Sequence, residues 1–327
     1  MADEFDSLFD GSLDTKMDFL NDNSGQKNND GIYRIDFSKC KDKKKGWKSV
    51  IRFLPNLTKD GKVGQSAIEK IAHYVKLPDA KELNGFFDSP KNFDQECPLS
   101  KLYYSMQNSK NAILQEKSKA LNYSRKYYSY ILVLEDEQQP ELVGKIMILQ
   151  YGKTIKDKIN AERNGEISEP CNVFDLAQGK DFVMVVKEIQ TGDITYPDYK
   201  MSMFRPEKTS LPIYFEEKGE FKNVPTKENA DGKTIVDPKA QGKIKEALMN
   251  REFELESFAP KPLTEDQHAK ITEISNYLTG KSSSGFSSNK GSEPSSDDFE
   301  FEDNFAETAN ESSSSVDEDE DDFFSDL

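Results

Sequence analysis

Four stretches of the chain are rich in β-branched and aromatic residues and are bounded by turn-forming residues. This pattern predicts strands, because such side chains pack well on a pleated, half-buried surface. The predicted strands are residues 46–56 (GWKSVIRFLPN), 127–135 (YYSYILVLE), 142–152 (LVGKIMILQYG) and 181–190 (DFVMVVKEIQ).

Helical spacing of apolar residues is clearest near the end of the folded part, where Ile271, Ile274 and Leu278 fall on one face. Thr264 and Gln267 form a capping-box pattern before this face, and Gly280 ends the predicted helix. A shorter helix is predicted at 153–162. Strands separated by short helices and long loops predict a mainly β, α+β fold with a small barrel core that carries insertions.

Composition divides the chain into three segments. Residues 281–327 are rich in Ser, Gly and Asn and then become acidic, and residues 1–30 are also acidic. Such sequences bury too little apolar surface to offset the entropy lost on ordering. We therefore expect a disordered acidic N-terminal arm (1–30), a folded core (31–280) and a disordered Ser-rich acidic C-terminal tail (281–327).

The formal charge of −16 is spread unevenly. Residues 292–327 hold fifteen acids and no bases, and residues 1–30 hold eight acids and two bases. The remaining segment, 31–291, holds 42 bases and 37 acids, a net charge of +5. The low overall pI therefore does not exclude nucleic acid as a ligand of the core.

The last sixteen residues, SSSSVDEDEDDFFSDL, place three apolar side chains among acids: Phe323, Phe324 and Leu327. A tail that only improved solubility would have no use for them, because exposed apolar groups favour association. This pattern predicts a tail that docks on partner proteins. A similar stretch, DEFDSLFD, lies near the N-terminus.

The sequence favours an intracellular protein. The N-terminus has neither a basic region nor an apolar stretch of the kind that signals export, and the longest apolar runs are five residues, so no membrane association is expected. Cys40, Cys97 and Cys171 are odd in number and far apart, which favours free thiols in a reducing compartment.

An enzyme is not predicted. The chain has two histidines and lacks a P-loop, a glycine-rich dinucleotide turn and a G-x-S-x-G elbow. Its many carboxylates are the background of an acidic chain.

Tyrosines alternating with Lys and Arg carry the stronger signal, because aromatic faces stack on unpaired bases while cations follow the phosphates. Arg52, between Ile51 and Phe53, is expected to point outward from the first strand. The alternative is that the strand tyrosines face the core. The candidate nucleic-acid-binding residues are Arg52, Tyr103, Tyr104, Arg125, Lys126, Tyr127, Tyr128, Tyr196 and Tyr199.

Several segments, taken together and in order, resemble the single-stranded DNA-binding (helix-destabilising) proteins of T-even-type bacteriophages. They are SVIRFLP, ECPLSKLYY, YYSYILVLED, GKIMILQYGKTIKDKIN, DFVMVVKEI and the final DDFFSDL. The resemblance covers about residues 46–200 and the C-terminus. No single motif is diagnostic, but the collinear set is specific.

The resemblance implies an OB-fold core whose cleft holds single-stranded DNA without sequence preference during phage replication, recombination and repair. Arg52, Tyr127 and Tyr128 would match family cleft positions, and the loop with Tyr196 and Tyr199 matches a family aromatic loop loosely. The acidic tail would compete with DNA and recruit replisome proteins such as a polymerase, helicase loader or primase. The implied location is the cytoplasm of an infected bacterium.

Two features depart from this family. Its zinc site uses one His and three Cys, but here only His73 and Cys97 remain, with Phe87 and Ser100 in the other places. Two ligands cannot hold a structural zinc, so no cofactor is expected. The family's basic N-terminal cluster, used between neighbours on DNA, is replaced by acids, and we hypothesise self-association along DNA through this acidic arm instead.

Two other functions remain open at this point. One is an acidic protein-interaction factor or chaperone whose β domain binds protein. The other is an OB-fold protein that prefers RNA, because stacking alone does not distinguish RNA from DNA.

Overall fold

The structure, a computed structural model, describes residues 31–40, 45–166, 168–191, 194–215, 218–249, 251 and 253–280. The two predicted arms, including Phe323, Phe324 and Leu327, lie outside the described residues. Their predicted disorder and their role in docking stay predictions.

The described residues form strands and helices with the following bounds. The strands are β1 (Ile32–Tyr33), β2 (Trp47–Phe53), β3 (Ile68–Val75), β4 (Gly85–Asp88), β5 (Leu121–Asp136), β6 (Ile146–Tyr151), β7 (Asp181–Thr191), β8 (Ile194–Asp198), β9 (Met203–Phe204), β10 (Pro212–Phe215), β11 (Glu220–Asn223), β12 (Thr226–Glu228) and β13 (Thr234–Val236). The helices are α1 (Pro98–Gln107), α2 (Ala112–Ser118), α3 (Lys153–Asn164), α4 (Gln241–Met249) and α5 (Glu265–Thr279).

One large sheet organises the fold, in the strand order β1-β6-β5-β2-β7-β8. β3 joins it by pairing with the first half of β5, β4 pairs with β3, and β9 pairs with β7. The pairs are antiparallel except for β1 with β6. The predicted strand-rich fold with short helices is confirmed. The predicted barrel is not closed within the described residues, because no hydrogen-bonded pairing joins β1 to β8.

The predicted elements are all present, with shifted ends. β5 begins six residues earlier than the predicted strand, at Leu121, because its first half gains β3 as a partner. The Thr264–Gln267 capping box of α5 is confirmed, since both of its hydrogen bonds are present. Helices α1, α2 and α4 and strand β3 carried no pattern strong enough to be predicted.

Side chains alternate across β5 and feed two cores. Tyr128, Tyr130 and Leu132 point to one face, where residues 211–258 cover them with Ile244, Leu248 and Leu255 among others. Tyr127, Ile131 and Val133 point to the other face and pack with α3, β6 and β7. A third core lies beyond the first half of β5, where α1 and α5 pack on β3 and β4.

All three cysteines are buried free thiols, as predicted. Among the described residues no helix is both long enough and apolar enough to span a bilayer.

Candidate nucleic-acid interface

The first half of β5 presents Tyr123, Arg125 and Tyr127 on one face, because every second residue of a strand points the same way. The Tyr127 ring stacks on Tyr151 of β6, with ring centroids 5.7 Å apart. The Nζ of Lys156, on α3, lies 5.3 Å from the centroid of the Tyr127 ring. Both rings are buried, so at this end of the face the accessible group is the cation of Lys156 rather than an aromatic ring.

Helix α1 brings two further rings to the other end. The rings of Tyr103 and Tyr104 contact each other edge to face, with centroids 5.2 Å apart. Tyr104 is 43% exposed. Lys91, in the turn after β4, places its Nζ 5.6 Å from the Tyr104 ring and 5.9 Å from the Tyr123 ring. Lys91 thus joins the helix to the strand through shared cation–π contacts.

We call this set the aromatic–cationic stripe. It consists of Tyr103, Tyr104, Tyr123 and Tyr127 with Lys91, Arg125 and Lys156.

Two side chains of the stripe, Tyr127 and Arg125, have shifted pKa values. Burial, aided by Glu69, raises the pKa of Tyr127 to about 12. Burial alone would lower the pKa of Arg125, but Tyr123 and Glu69 outweigh it, and the pKa is raised. The Nε of Arg125 lies 3.1 Å from Glu69 at a partly exposed site, where such a pair contributes little and can open to a phosphate.

The rings do not enclose a base-sized pocket. The crevice lined by His73, Ser100, Tyr103, Tyr104 and Tyr123 has a volume of only about 10 Å³, which is barely the space of one water. Bases would have to stack on the accessible parts of Tyr103, Tyr104 and Tyr123 rather than insert between rings, because Tyr127 is only 4% exposed.

Arg52 does not point outward, so that prediction is wrong. Its side chain is fully buried and its Nη1 lies 3.2 Å from Asp181 Oδ1. It also donates to the hydroxyl and the carbonyl of Thr209 and to the carbonyl of Asp175. β2 is paired on both sides, by β5 and β7, and both of its faces are covered. Gly179 makes room for the guanidinium, since a Cβ there would lie 2.4 Å from Nη2.

Lys126 and Tyr128 lie on the opposite face of β5 from the stripe, and both are buried. The Tyr128 ring stacks on Phe258 at 4.8 Å, and its hydroxyl donates to Gln150. The structure therefore does not bring these two candidates together with the stripe. Tyr128 packs in the core, which is the alternative given for the strand tyrosines in the sequence analysis.

Tyr196 and Tyr199 are half-buried and lie in β8 and the turn that follows it. Tyr199 packs against the same core as Tyr127, and the adjacent carbonyl of Lys200 accepts a hydrogen bond from Lys158 of α3 at 3.2 Å. The structure ties this turn to α3 rather than placing it on β5 or α1.

The two zinc-site remnants are close but poorly suited to a metal. His73 Nε2 hydrogen-bonds to the Ser100 hydroxyl at 3.0 Å, and Phe87 packs in the third core. Burial would raise the pKa of the Cys97 thiol, but hydrogen bonds with His73, Ser100 and Ser89 outweigh it and lower the pKa to about 6. Since Phe87 and Ser100 supply neither a thiolate nor an imidazole, the residues present do not fit a structural zinc.

The candidates named from the sequence include Tyr103, Tyr104, Arg125 and Tyr127 of the stripe and lack Tyr123, Lys91 and Lys156. Each of the two lysines is distant in sequence from the ring that it contacts, and the chain is rich in lysine. Only the pairing of β3 with β4 and β5, and the position of α3 beside β6, bring them to the rings.

Comparisons with known proteins cover the part of the chain that contains this site. Residues 45–277 match the model of the family described as gp32 DNA binding protein like. The single-stranded DNA-binding protein of Enterobacteria phage T4 is 28% identical over 203 residues, covering 58% of this chain and 60% of that protein. The protein of the same name from Enterobacteria phage T2 is 29% identical over 166 residues, covering 46% of this chain and 49% of that protein.

The chain thus spans roughly half to three fifths of the length of these curated relatives. The family description and both names agree with the predicted class, a DNA-binding protein rather than an enzyme. Because the family match covers most of the chain, including the whole stripe, the protein belongs to the gp32-like DNA-binding protein family.

Proposed function

We propose that the protein binds single-stranded DNA without sequence preference along the aromatic–cationic stripe. The observation that carries this proposal is a set of three accessible tyrosine rings, Tyr103, Tyr104 and Tyr123, beside Lys91 and Arg125 on one surface. Lys156 extends the row of cations over the buried ring of Tyr127. The names of the T4 and T2 relatives support single-stranded DNA as the ligand.

The chemistry of the stripe explains why binding would not depend on sequence. Every base has a π-face, so tyrosine rings accept any base by stacking, at roughly 1 to 3 kcal/mol per base. Lysine ammonium groups contact phosphates as point charges and carry no sequence information. The protein would coat and protect single strands in phage replication, recombination and repair.

The test is a titration of a fluorescein-labelled oligo-dT of about sixteen nucleotides, the upper end of site sizes for such grooves. Tyr104→Ala removes an exposed ring from the stripe, and we expect roughly tenfold weaker binding. Tyr277→Ala is the matched control, because Tyr277 is 41% exposed on α5, outside the stripe. Anisotropy is the suitable readout, since Trp47 is fully buried and cannot report by direct contact. Failure of the wild type to bind at low salt would refute the proposal.

We also propose that the core is an OB-fold whose cleft contains the stripe. The long strand β5, which pairs with β3, β6 and β2 along its length, supports this interpretation. Such a strand is the expected centre of a strongly bent, partly open barrel.

The acidic tail is proposed to regulate this site. A polyanion tethered to a basic surface acts at about millimolar effective concentration and would compete with DNA. Phe323, Phe324 and Leu327 would anchor replication proteins such as a polymerase, helicase loader or primase.

The acidic stretch near the N-terminus is proposed to contact a neighbouring copy along DNA. Unchanged cooperativity of DNA binding after deletion of residues 2–20 would refute this proposal.

A further inference from the structure

Two large aromatic side chains lie exposed on the face of the β3–β4–β5 sheet opposite the stripe. Tyr74 of β3 is directly opposite Phe86 of β4 in the antiparallel register, so both point to the same side. Each is 49% exposed. Their neighbours in sequence, His73 and Phe87, point to the other side and are buried.

Other aromatic side chains on this face are covered. Further along it, Phe258 covers the ring of Tyr128 at 4.8 Å. The cover ends near Asp88, whose carboxylate accepts a hydrogen bond from the backbone N–H of Lys261. Tyr74 and Phe86 lie past that point. Two adjacent half-exposed rings on an otherwise covered face indicate a contact surface rather than incomplete packing.

Cations surround the two rings. Lys70 Nζ lies 5.5 Å from the centroid of the Phe86 ring, and Lys76, two residues after Tyr74, is exposed. Asp88, next to Lys70 at 2.9 Å, neutralises one of these charges and leaves Lys76 to give the patch a positive sign. We call Lys70, Tyr74, Lys76 and Phe86 the Tyr74–Phe86 patch.

We propose that the Tyr74–Phe86 patch is a second stacking surface for single-stranded DNA, used by nucleotides that flank those on the stripe. This inference rests on the proposed function of the stripe. Half-exposed rings beside ammonium groups are the combination that holds unpaired bases and their phosphates. A purely apolar partner would leave Lys76 without a counter-charge, whereas a phosphate supplies one.

The two surfaces are connected around an edge of the sheet. Among the described residues β4 pairs only with β3, so its outer side is an edge of the sheet. Lys91, at one end of the stripe, follows Phe86 by five residues, in the turn directly after β4. A strand leaving the stripe at Lys91 would pass this edge and reach Phe86 on the opposite face.

The test compares oligo lengths with the full chain. The double variant Tyr74→Thr, Phe86→Thr removes both rings and keeps residues that favour strands. Oligo-dT of about four and about sixteen nucleotides spans the range of site sizes for such grooves. We expect the double variant to bind the long oligo at least about tenfold more weakly and the short one within about twofold of wild type. The short oligo would occupy the stripe, which has more rings.

Two outcomes of this comparison would overturn the inference. Equal binding of wild type and double variant at both lengths would overturn the inference and leave the stripe intact. An equal change at both lengths would also overturn it, and would assign the patch to another occupant such as the chain's own acidic ends. Tyr104→Ala should weaken both lengths, which separates failure of the proposed function from failure of this inference. Thermal melting of each variant, with Tyr277→Ala as control, checks that the fold is kept.

Discussion

The charge of Arg52 is satisfied inside the protein by Asp181 and by two backbone carbonyls. Burial lowers the pKa of the guanidinium, and the nearby Asp181 opposes that shift. Removing one partner of a buried pair leaves the other charge without compensation, which is more costly than losing an exposed pair.

We therefore expect Arg52→Ala to lower the free energy of unfolding by about 3 to 5 kcal/mol. Lys62→Ala is the control, because Lys62 and Asp60 form an exposed pair whose loss should cost less than about 1 kcal/mol. Chemical denaturation measures both. If Arg52→Ala kept its stability and lost DNA affinity, Arg52 would be a DNA contact and its assignment to the core would be wrong.

The buried phenol of Tyr128 makes the free energy of unfolding depend on pH under alkaline conditions. Burial raises the pKa of its phenol to about 12 in the folded protein, against about 10 when unfolded. Ionisation therefore favours the unfolded chain, and the contribution of Tyr128 to stability is complete below pH 10 and is lost as pH rises toward 12.

Tyr128→Phe should reduce this loss between pH 10 and pH 12 by on the order of 1 kcal/mol. It should also lower stability at neutral pH by about 1 kcal/mol, because the hydrogen bond to Gln150 is lost. Denaturation curves across this pH range, with Tyr277→Phe as control, provide the measurement. An unchanged alkaline slope would show that the Tyr128 phenol is not buried.

Among the elements, β5 divides its side chains between two faces by residue parity. The sequence of β5 predicts the alternation, since odd and even positions of a strand point to opposite faces. It does not predict which face is open, because the cover for Tyr128 comes from Phe258, 130 residues later. The same limit explains the wrong prediction for Arg52. The sequence of β2 indicates which face Arg52 lies on, but it does not indicate that residues such as Asp175 and Thr209 cover that face.

The turn after β4 gives a prediction for the stripe. Lys91→Gln removes one cation near the rings of Tyr104 and Tyr123. The slope of log affinity against log salt should become shallower by about 0.7, the value for one phosphate contact to a single strand. Lys239→Gln, in the segment 238–240, is the control and should leave the slope unchanged. An identical slope in both variants would mean that Lys91 contacts no phosphate.

At the scale of the whole molecule, strands predicted from local pattern are present, whereas the order of strands in the sheet is not visible in that pattern. Capping residues act locally, so Thr264 and Gln267 fixed the start of α5 correctly. Pairings such as β3 with β5 join segments about 50 residues apart and depend on how faces fit together. The stripe depends on such pairings. Its candidate residues Tyr103, Tyr104 and Tyr127 were named from the sequence, whereas Tyr123 and the two lysines were not among the candidates.

The acidic tail and the mildly basic core carry opposite net charges, so removal of the tail should change DNA binding. Ending the chain after Gly280 removes fifteen acids and two lysines. If the tail competes for the stripe, the shortened protein should bind oligo-dT about tenfold more tightly or better at low salt, with a steeper salt slope. In the full chain salt also displaces the tail, which makes the slope shallower. Equal affinity and slope in both proteins would exclude competition by the tail.

Photo-crosslinking of the full chain to an oligo-dT in which bromodeoxyuridine replaces some thymidines would show which residues contact DNA. Mass spectrometry then identifies the crosslinked peptides. If DNA lies along the stripe, we expect crosslinks in α1, at Tyr103 or Tyr104, and in the first half of β5, at Tyr123. Crosslinks confined to residues 211–258, which cover the opposite face of β5, would contradict binding along the stripe.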